Sequence, residues 1–458
     1  MKENIVVLKF GGSSVAKVAH WETIFERLHY HLELRNKPVL VLSALKNVSN
    51  RLEDLLNLSL SNNHDEEIEA LKSIHYTFSN QLGLEIEDKL APYFNQLSVD
   101  CLQILADQLI TPKLHARVLA IGELLSTTIG REYLARRGMN AKWLDVRQIL
   151  QSITQKQHWS HYLNTECDYS TNSELVKKLF PEPNKMPKVV VTQGFIASDE
   201  NGDTVLLGRE GSDTSAAYLA AKLSANRLEI WTDVAGVYSA NPQDITGARH
   251  LPQLNYQQAF LMAKYGAKVI HPRIIKPVEQ RKIPIGVFST REPNNHGTLI
   301  GEKPLSTIGI TAVATEDKVI RLLFSGVQSQ KDRKKLIQTL LKQGFDLVTE
   351  GHVKGNYYVI VRYLNNDIEL PTKKALIGSL QSVVPVEHSI GMLITLIGSP
   401  IDSTWIEQVD NWLKLNDHIL LLGRYKKDDG ASYSILVSST DGLSISKKLH
   451  KSLIEVQL

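Results

Sequence analysis

A lysine and two glycines stand where the first apolar run of the chain ends. Residues 5–10 predict a buried strand, and residues 9–14, Lys-Phe-Gly-Gly-Ser-Ser, connect it to a helical pattern. Glycines at a helix entry let the backbone approach a phosphate, while helix N–H groups and Lys9 supply positive potential. A simple tight turn is the alternative, but an unpaired lysine in a strand buried on both faces is costly. We therefore expect a phosphate site here, although the stretch is neither a Walker loop nor a GxGxxG loop.

A second glycine-rich stretch, Gly-Arg-Glu-Gly-Ser-Asp at residues 208–213, precedes an alanine-rich helical pattern. Arg209 can clamp a carboxylate through two N–H groups, and Ser212 offers a hydroxyl. Asp213 can orient a lysine or a metal-bound phosphate. A helix cap with a neighbouring ion pair is the alternative for this stretch alone. Together the two stretches favour a site for a small acid and a phosphate.

Two further stretches carry weaker signals. Residues 231–238, Trp-Thr-Asp-Val-Ala-Gly-Val-Tyr, follow a predicted strand at the edge where open α/β sheets bind ligands. Thr232 and Asp233 suit contacts to ribose or phosphate, but a plain Asp-x-x-Gly turn fits this stretch equally well. Residues 265–272 add Lys268 as a second cation near a nucleotide. A lysine that faces solvent before a strand is the alternative there.

The elements that would position these residues alternate between strand and helix. This order predicts βαβ units and a mostly parallel sheet with helices on both faces over the first three hundred residues. Between residues 51 and 134 the apolar spacing is largely helical, with Pro92 and Pro112 as interruptions, which predicts a helical insertion beside the sheet. The predicted strands cover residues 5–10, 38–42, 141–144, 189–197, 229–232 and 284–289.

A second architecture follows residues 294–305, where glycines and a proline indicate a domain boundary. A second set of elements, beyond residue 391, gives only βαββα and lacks one strand. We therefore expect a strand at 308–314 to complete this last module, with the middle module inserted in it. The middle module has the ferredoxin-like order βαββαβ, predicted at residues 318–326, 330–343, 345–351, 357–363, 372–380 and 382–387.

Composition excludes several classes of protein. With 458 residues the chain can form two to four domains, and 43% apolar residues can build packed cores. The 52 Lys and Arg nearly balance the 49 Asp and Glu, which argues against nucleic acid as the main partner. Cys101 and Cys167 cannot make a disulfide framework, and no apolar run is long enough to span a membrane. We expect a cytoplasmic protein without membrane or nucleic-acid partners.

Six motifs between residues 9 and 272 occur in the order found in aspartate kinases, and the chain resembles that family. The resemblance implies an amino-acid-kinase catalytic domain at 1–304 and two ferredoxin-like regulatory (ACT) domains, one inserted at 316–388 and one formed by 305–315 plus 389–458. It also implies transfer of the γ-phosphoryl group of MgATP to the side-chain carboxylate of L-aspartate, the first step toward lysine, threonine, methionine and diaminopimelate. The motifs are KFGGSS, SALKNVSN from Ser43, GELLS from Gly122, GREGSD, WTDVAGVY and GAKVIHP.

The same resemblance implies roles for single residues. Lys9 would stabilise the transferring phosphoryl group, and Asp213 would organise that lysine. No protein ligand for a metal is expected, because Mg²⁺ is carried with ATP. A substrate carboxylate with a pKa of about 3.9 is already ionised at neutral pH, so no general base is needed. Around aspartate the resemblance places Ser43, Ser49, Glu123, Phe195, Arg209 and Ser212. Around ATP it places Gly11, Gly12, Ser13, Thr232, Asp233, Tyr238 and Lys268.

The chain also departs from the family pattern. Glu210 stands where the family most often has glycine, and Gln243 stands where an arginine near the nucleotide is common. Residues 329–334 are mostly charged and replace a small-residue loop of lysine- or threonine-sensitive relatives. We expect a homodimer joined through its ACT domains, with feedback by an amino-acid effector that is weak or different. Two alternatives stay open: a kinase of the same fold acting on another acidic amino acid, and a catalytically silent effector-binding homologue.

Overall fold

The chain divides into two compact units. Unit 1 comprises Met1–Val237, Pro252–Tyr256 and Val269–Pro304, and unit 2 comprises the rest of the chain. Two stretches of unit 2, Tyr238–Leu251 and Gln257–Lys268, therefore lie in the sequence between parts of unit 1. The computed structural model describes residues 4–153, 160–180, 189–267, 269–302, 309–342, 344–353, 355–363, 387–399, 404–426 and 431–455.

Unit 1 is built on an eight-stranded sheet. The strands are β1 (Ile5–Phe10), β2 (Lys37–Leu42), β3 (Ala141–Leu144), β4 (Val189–Gln193), β7 (Arg227–Thr232), β8 (Gln253–Asn255), β9 (Ile285–Ser289) and β10 (Thr298–Gly301). Their order is β3-β4-β2-β1-β7-β9-β10-β8, and only β10 and β8 run opposite to the others. A separate hairpin joins β5 (Ile196–Ser198) to β6 (Thr204–Leu206). The predicted mostly parallel sheet is confirmed.

Helices surround this sheet, and the predicted helical insertion is confirmed as four long helices, α3 to α6. The central strand β1 is buried along its whole length, as expected for a strand covered on both faces. The expected interruption at Pro92 is wrong, because α5 continues through it, whereas Pro112 does begin a helix. The helices are α1 (Gly12–Val15), α2 (Val18–Glu33), α3 (Val48–Leu60), α4 (Asp65–Gln81), α5 (Glu87–Asp107), α6 (Pro112–Arg136), α7 (Ser160–Leu163), α8 (Ser173–Leu179), α9 (Gly211–Lys222), α10 (Tyr256–Lys264) and α11 (Ile275–Glu279).

Unit 2 contains a six-stranded antiparallel sheet in the order β12-β13-β11-β14-β16-β15. Its helices are α12 (Gln330–Lys342), α13 (Thr404–Leu415) and α14 (Ser439–His450), and a single π-helical turn, Lys451–Glu455, follows α14. No helix in the described parts of the chain is long and apolar enough to cross a membrane. The strands are β11 (Ile310–Phe324), β12 (Phe345–Val353), β13 (Asn356–Tyr363), β14 (Glu387–Gly398), β15 (Leu421–Lys426) and β16 (Ser432–Val437).

The long strand β11 serves two hydrophobic cores. The sequence predicts two strands, at 308–314 and 318–326, but the structure has one strand with an irregularity between Glu316 and Val319. Ile310 and Val313 pack with the α13 and α14 side of the sheet, whereas Leu322 and Phe324 pack with α12. β11 thus continues as one hydrogen-bonded strand, while its side chains pack first into one hydrophobic core and then into the other. The helix predicted at 372–380 and nearly all of the strand predicted at 382–387 lie outside the described residues.

Candidate active site

A buried ion pair joins Lys9 of β1 to Asp213 in the first turn of α9. The side chains are only 11% and 8% exposed. Lys9 lies between Val41 of β2 and Ile230 of β7 in the parallel register, so its backbone is flanked by apolar strands on both sides. Asp213 supplies the partner that a lysine in this position requires. The structure therefore brings together the two residues for which the resemblance implies catalytic roles.

The glycine loop after β1 packs closely against two neighbouring chain segments. A Cβ atom on Gly12 would stand 2.9 Å from the carbonyl oxygen of Ala44, and one on Gly11 would stand 3.4 Å from Nζ of Lys9. The backbone N–H of Gly11 donates to the carbonyl oxygen of Trp231 over 3.2 Å. Glycine at these positions leaves the space around the Lys9 ammonium free for a ligand oxygen. Ser13 follows in α1 and is half-buried.

A cleft of about 570 Å³ opens beside this loop. Its walls come from the segment after β2, from α6, from the turn before β5 and from the entry to α9. All six residues predicted to bind aspartate line it: Ser43, Ser49, Glu123, Phe195, Arg209 and Ser212. The wall also includes residues that sequence reasoning missed, namely Lys46, Asn47, Asn50 and His115. Three of these lie within the SALKNVSN motif, which could have indicated them, whereas no pattern marks His115.

Glu123 is the most unusual group in the cleft. One carboxylate oxygen accepts a hydrogen bond from the backbone N–H of Ala44 over 3.2 Å. The other oxygen is buried and has no hydrogen-bond partner in the described part of the chain. Burial raises the pKa of Glu123 to about 8, because desolvation outweighs the Ala44 N–H and the charge of Lys9. A cationic ligand group would satisfy the free oxygen.

Small residues set the distance between α6 and the segment after β2. A Cβ atom on Gly122 would stand 2.8 Å from the Cβ of Ala44, so only glycine allows this approach. The hydroxyl of Ser126, one turn further along α6, donates to the carbonyl oxygen of Ser43 over 2.7 Å. These two contacts hold Glu123 of α6 against the backbone of Ala44. The GELLS motif is therefore a packing device as well as the source of the carboxylate.

The glycine-rich turn before α9 packs on the turn that carries Phe195. A Cβ atom on Gly194 would stand 2.5 Å from the Cβ of Ser212, and one on Gly211 would stand 2.7 Å from the Phe195 ring. Phe195 itself has a left-handed backbone with φ of 68°. Glu210 also has a left-handed backbone, with φ of 51°, a conformation that glycine adopts more readily. Its side chain is exposed at the cleft, so the extra carboxylate is not buried beside the substrates.

The residues predicted to contact ATP are brought together only in part. Thr232 and Asp233 lie at the carboxyl end of β7, directly beside the end of β1, where Phe10 is paired with Trp231. This edge of the sheet also carries Gly11, Gly12 and Ser13. Tyr238 belongs to unit 2, where it contacts His250 edge to face. Lys268 lies outside the described residues.

The sequence profile of the amino acid kinase family matches residues 4–289, more than half of the chain, and the chain belongs to this family. The lysine-sensitive aspartokinase 3 of Escherichia coli (strain K12) is 33% identical over 302 residues, which are 65% of this chain and 64% of that protein. The aspartokinase of Chlamydia pneumoniae is 27% identical over 423 residues, 87% of this chain and 86% of that protein. These relatives confirm the resemblance to aspartate kinases.

The same likeness extends to a solved structure. Escherichia coli aspartokinase III in complex with aspartate and ADP (R-state) matches with a TM-score of 0.81 and 26% identity over 98% of this chain and 100% of that chain. The predicted fold class is thereby confirmed across nearly the whole chain. The sequence match to aspartokinase 3 is shorter than this structural match. In that sequence match, this chain spans slightly less than two thirds of the relative's length.

Proposed function

We propose that the protein is an aspartate kinase, which transfers the γ-phosphoryl group of MgATP to the side-chain carboxylate of L-aspartate. One observation supports this most directly: a buried, half-satisfied carboxylate, Glu123, and an exposed guanidinium, Arg209, line the same cleft. An α-amino acid has one ammonium and one α-carboxylate to offer to such a pair. The aspartokinase names of its relatives, and the aspartate and ADP bound in one structural neighbour, agree with this reading.

The proposed binding mode follows from charge. The α-ammonium of aspartate donates to the free oxygen of Glu123, and the α-carboxylate accepts two N–H bonds from Arg209. Ser43, Ser49 and Ser212 offer hydroxyls to the substrate, and the Phe195 ring forms an apolar wall. The side-chain carboxylate of the substrate then faces the glycine loop and Lys9. A second acidic amino acid, one methylene longer, would carry its carboxylate past this position.

The proposed reaction needs positioning and charge stabilisation rather than a base. An oxygen of the ionised substrate carboxylate attacks the γ-phosphorus, and the bond from that phosphorus to the β–γ bridging oxygen breaks. ADP leaves with the electron pair, and 4-phospho-L-aspartate forms. The Lys9 ammonium stabilises the charge on the transferring group, and Asp213 holds Lys9 in place. Mg²⁺ enters with the phosphates of ATP as part of that substrate.

The ATP side of the proposal concerns the carboxyl edge of the sheet. We assign the phosphates to the loop of Gly11, Gly12 and Ser13, and we assign the remainder of the nucleotide to Thr232, Asp233, Tyr238 and Lys268. The support is the shared carboxyl edge of β1 and β7, the edge at which open α/β sheets bind ligands.

The regulatory part of the proposal divides the chain into a catalytic domain at 1–304, an ACT domain at 316–388 and a second ACT domain from 305–315 plus 389–458. The two cores that share β11 support this division. We also propose a homodimer through these modules and a cytoplasmic location. The charged segment that begins α12 is occupied by its own contacts: Ser329 bonds with Asp332, and Arg333 donates to Gln328. Such a segment favours weak or different feedback.

A coupled assay of ADP release tests the central proposal. ADP release that depends on L-aspartate, with little release on L-glutamate and none without an acceptor, is the expected result. Hydroxylamine added to the reaction should trap the acyl phosphate as a hydroxamate. Faster release with glutamate would favour a kinase of another acidic amino acid, and no release with any acceptor would favour a catalytically silent homologue.

A further inference from the structure

Three side chains form a continuous hydrogen-bonded chain inside unit 2. Oγ of Ser239 lies 2.9 Å from Nε2 of His450, and Nδ1 of His450 lies 2.9 Å from a carboxylate oxygen of Glu455. The backbone N–H of Arg249 donates to the same Ser239 oxygen over 2.9 Å. Because Ser239 accepts from Arg249, its own proton is free to bond with Nε2, and His450 then donates from Nδ1 to Glu455. Both ring nitrogens are thereby satisfied.

The connectivity is that of a serine hydrolase triad, but the surroundings exclude that chemistry. A nucleophilic serine must reach its substrate. Ser239 is 1% exposed and His450 is fully buried. Neither residue lines the cleft described above. The three residues therefore act on the protein itself rather than on a substrate.

These three hydrogen-bonded side chains connect the segment Tyr238–Leu251 to residues 450–455. The backbone N–H of Val313, in β11, donates to the carbonyl oxygen of Ser239 over 2.7 Å. The guanidinium of Arg249 donates to the carbonyl oxygen of Glu455 over 2.8 Å. The Glu455 carboxylate occupies the space where Gly247 would carry a Cβ atom. The segment is thus held at several points by β11 and by the π-helical turn after α14.

The residue just before Ser239 is Tyr238, which is proposed to contact ATP. On its other side, the backbone N–H of Val237 donates to the side-chain oxygen of Thr298 within unit 1 over 2.8 Å. Tyr238 is therefore the single residue between an anchor in unit 1 and an anchor in unit 2. Its backbone is held at Val237 on one side and at Ser239 on the other, where the backbone and the side chain of Ser239 are both hydrogen-bonded.

We propose that Ser239, His450 and Glu455 are positioning residues for the nucleotide: they hold Tyr238 in place, so the C-terminal turn of the chain sets the affinity for ATP. This inference rests on the proposed function, and specifically on the role assigned to Tyr238.

The test compares four variants of the full chain, Ser239→Ala, His450→Gln, Glu455→Ala and Glu455→Gln. The first three variants interrupt the series of hydrogen-bonded side chains. They should raise the MgADP dissociation constant and the KM for ATP by a factor on the order of 5 to 10, which corresponds to the free energy of one buried hydrogen bond. The KM for aspartate should stay within about twofold. Glu455→Gln keeps an oxygen that accepts from Nδ1 of His450, so it should bind MgADP as the wild type does.

Tyr433→Phe is the matched control. It removes a part-buried hydrogen bond of 2.9 Å from the Tyr433 hydroxyl to Asp410, also within unit 2. It should lower thermal stability and leave MgADP binding unchanged.

Three outcomes overturn the inference. The first is unchanged MgADP binding in folded Ser239→Ala and His450→Gln proteins. The second is an equal rise in the KM for aspartate and the KM for ATP in these variants. The third is a Tyr433→Phe protein that loses as much MgADP affinity as they do. Calorimetry with MgADP needs no turnover. A wild-type protein that binds MgADP without aspartate-dependent ADP release therefore refutes the proposed function alone, whereas one that binds no MgADP refutes both.

Discussion

Glu123 of α6 and the backbone N–H of Ala44 are linked by a hydrogen bond of 3.2 Å that uses only one of the two carboxylate oxygens. In most buried carboxylates, several donors compensate for the loss of water. Here burial outweighs the backbone N–H groups of Ala44 and of Glu123 itself and the more distant charge of Lys9, and the pKa of Glu123 rises to about 8. The cleft therefore holds a carboxyl group that is largely neutral at pH 7, and a cationic ligand group beside it would favour its ionised form.

The first prediction concerns the pH dependence of aspartate binding. Only ionised Glu123 can pair with the substrate ammonium, so the KM for aspartate should fall as the pH rises toward 8 and then level off. With a pKa of about 8, the fall between pH 6 and pH 8 should be about 50-fold. Initial rates at several aspartate concentrations and saturating ATP measure it. Glu123→Gln should have a high KM with no such slope, and a flat wild-type profile would contradict the assignment.

The second prediction is that Lys9→Ala keeps the fold and loses most turnover, by a factor on the order of 100 or more, because a cation at the transferring phosphoryl group is worth a few kcal/mol. Lys222 offers a matched control. It ends the same helix, α9, about 14 Å along the axis from Asp213, and it is also a buried lysine paired with an aspartate, Asp168, at 2.7 Å.

Lys222→Ala should lower thermal stability, because it leaves the Asp168 carboxylate without its main partner. It should keep near-normal turnover. Rates from the ADP-release assay and melting temperatures from calorimetry separate the two variants. Near-normal turnover in Lys9→Ala, or an equal loss in both variants, would show that Lys9 has only a structural role.

The third prediction separates the two substrates at Arg209. Arg209→Lys keeps the positive charge and loses the planar pair of N–H donors, so the KM for aspartate should rise at least tenfold while the KM for ATP changes little. Arg131→Lys is a suitable control, because Arg131 is a partly exposed arginine of α6 whose guanidinium pairs with Glu132. It should leave both KM values unchanged. An equal rise in both KM values for Arg209→Lys would place Arg209 in the nucleotide site or in the fold.

Local patterns predicted the parallel sheet, and the resemblance to aspartate kinases named six residues that line the cleft. Lys9 and Asp213 could be paired in advance, since a buried ammonium needs a carboxylate and each lies in a glycine-rich stretch. His115 could not be found, because its place in the cleft wall depends on how α6 packs and not on any spacing.

Two other features escaped prediction because they depend on packing between distant segments. The sequence predicted separate strands at 308–314 and 318–326, yet β11 continues through Lys318 with a left-handed backbone, φ of 56°. Residues 238–251 follow a nucleotide motif in the sequence but pack with the C-terminal unit. Their anchor, Ser239, bonds to His450, which is more than two hundred positions away.

The fourth prediction concerns oligomeric state and feedback. Ferredoxin-like modules leave a sheet edge that a second chain can cover, and β12 and β15 are the outer strands of the six-stranded sheet among the described residues. Sedimentation should therefore give a dimer at assay concentrations. Calorimetric titration with lysine, threonine and methionine should give weak or no binding, since Ser329 and Arg333 tie the start of α12 to Asp332 and Gln328. A ligand inhibits only if it binds one state better than another. Tight binding of lysine with inhibition would contradict the feedback part, and a monomer would contradict the dimer.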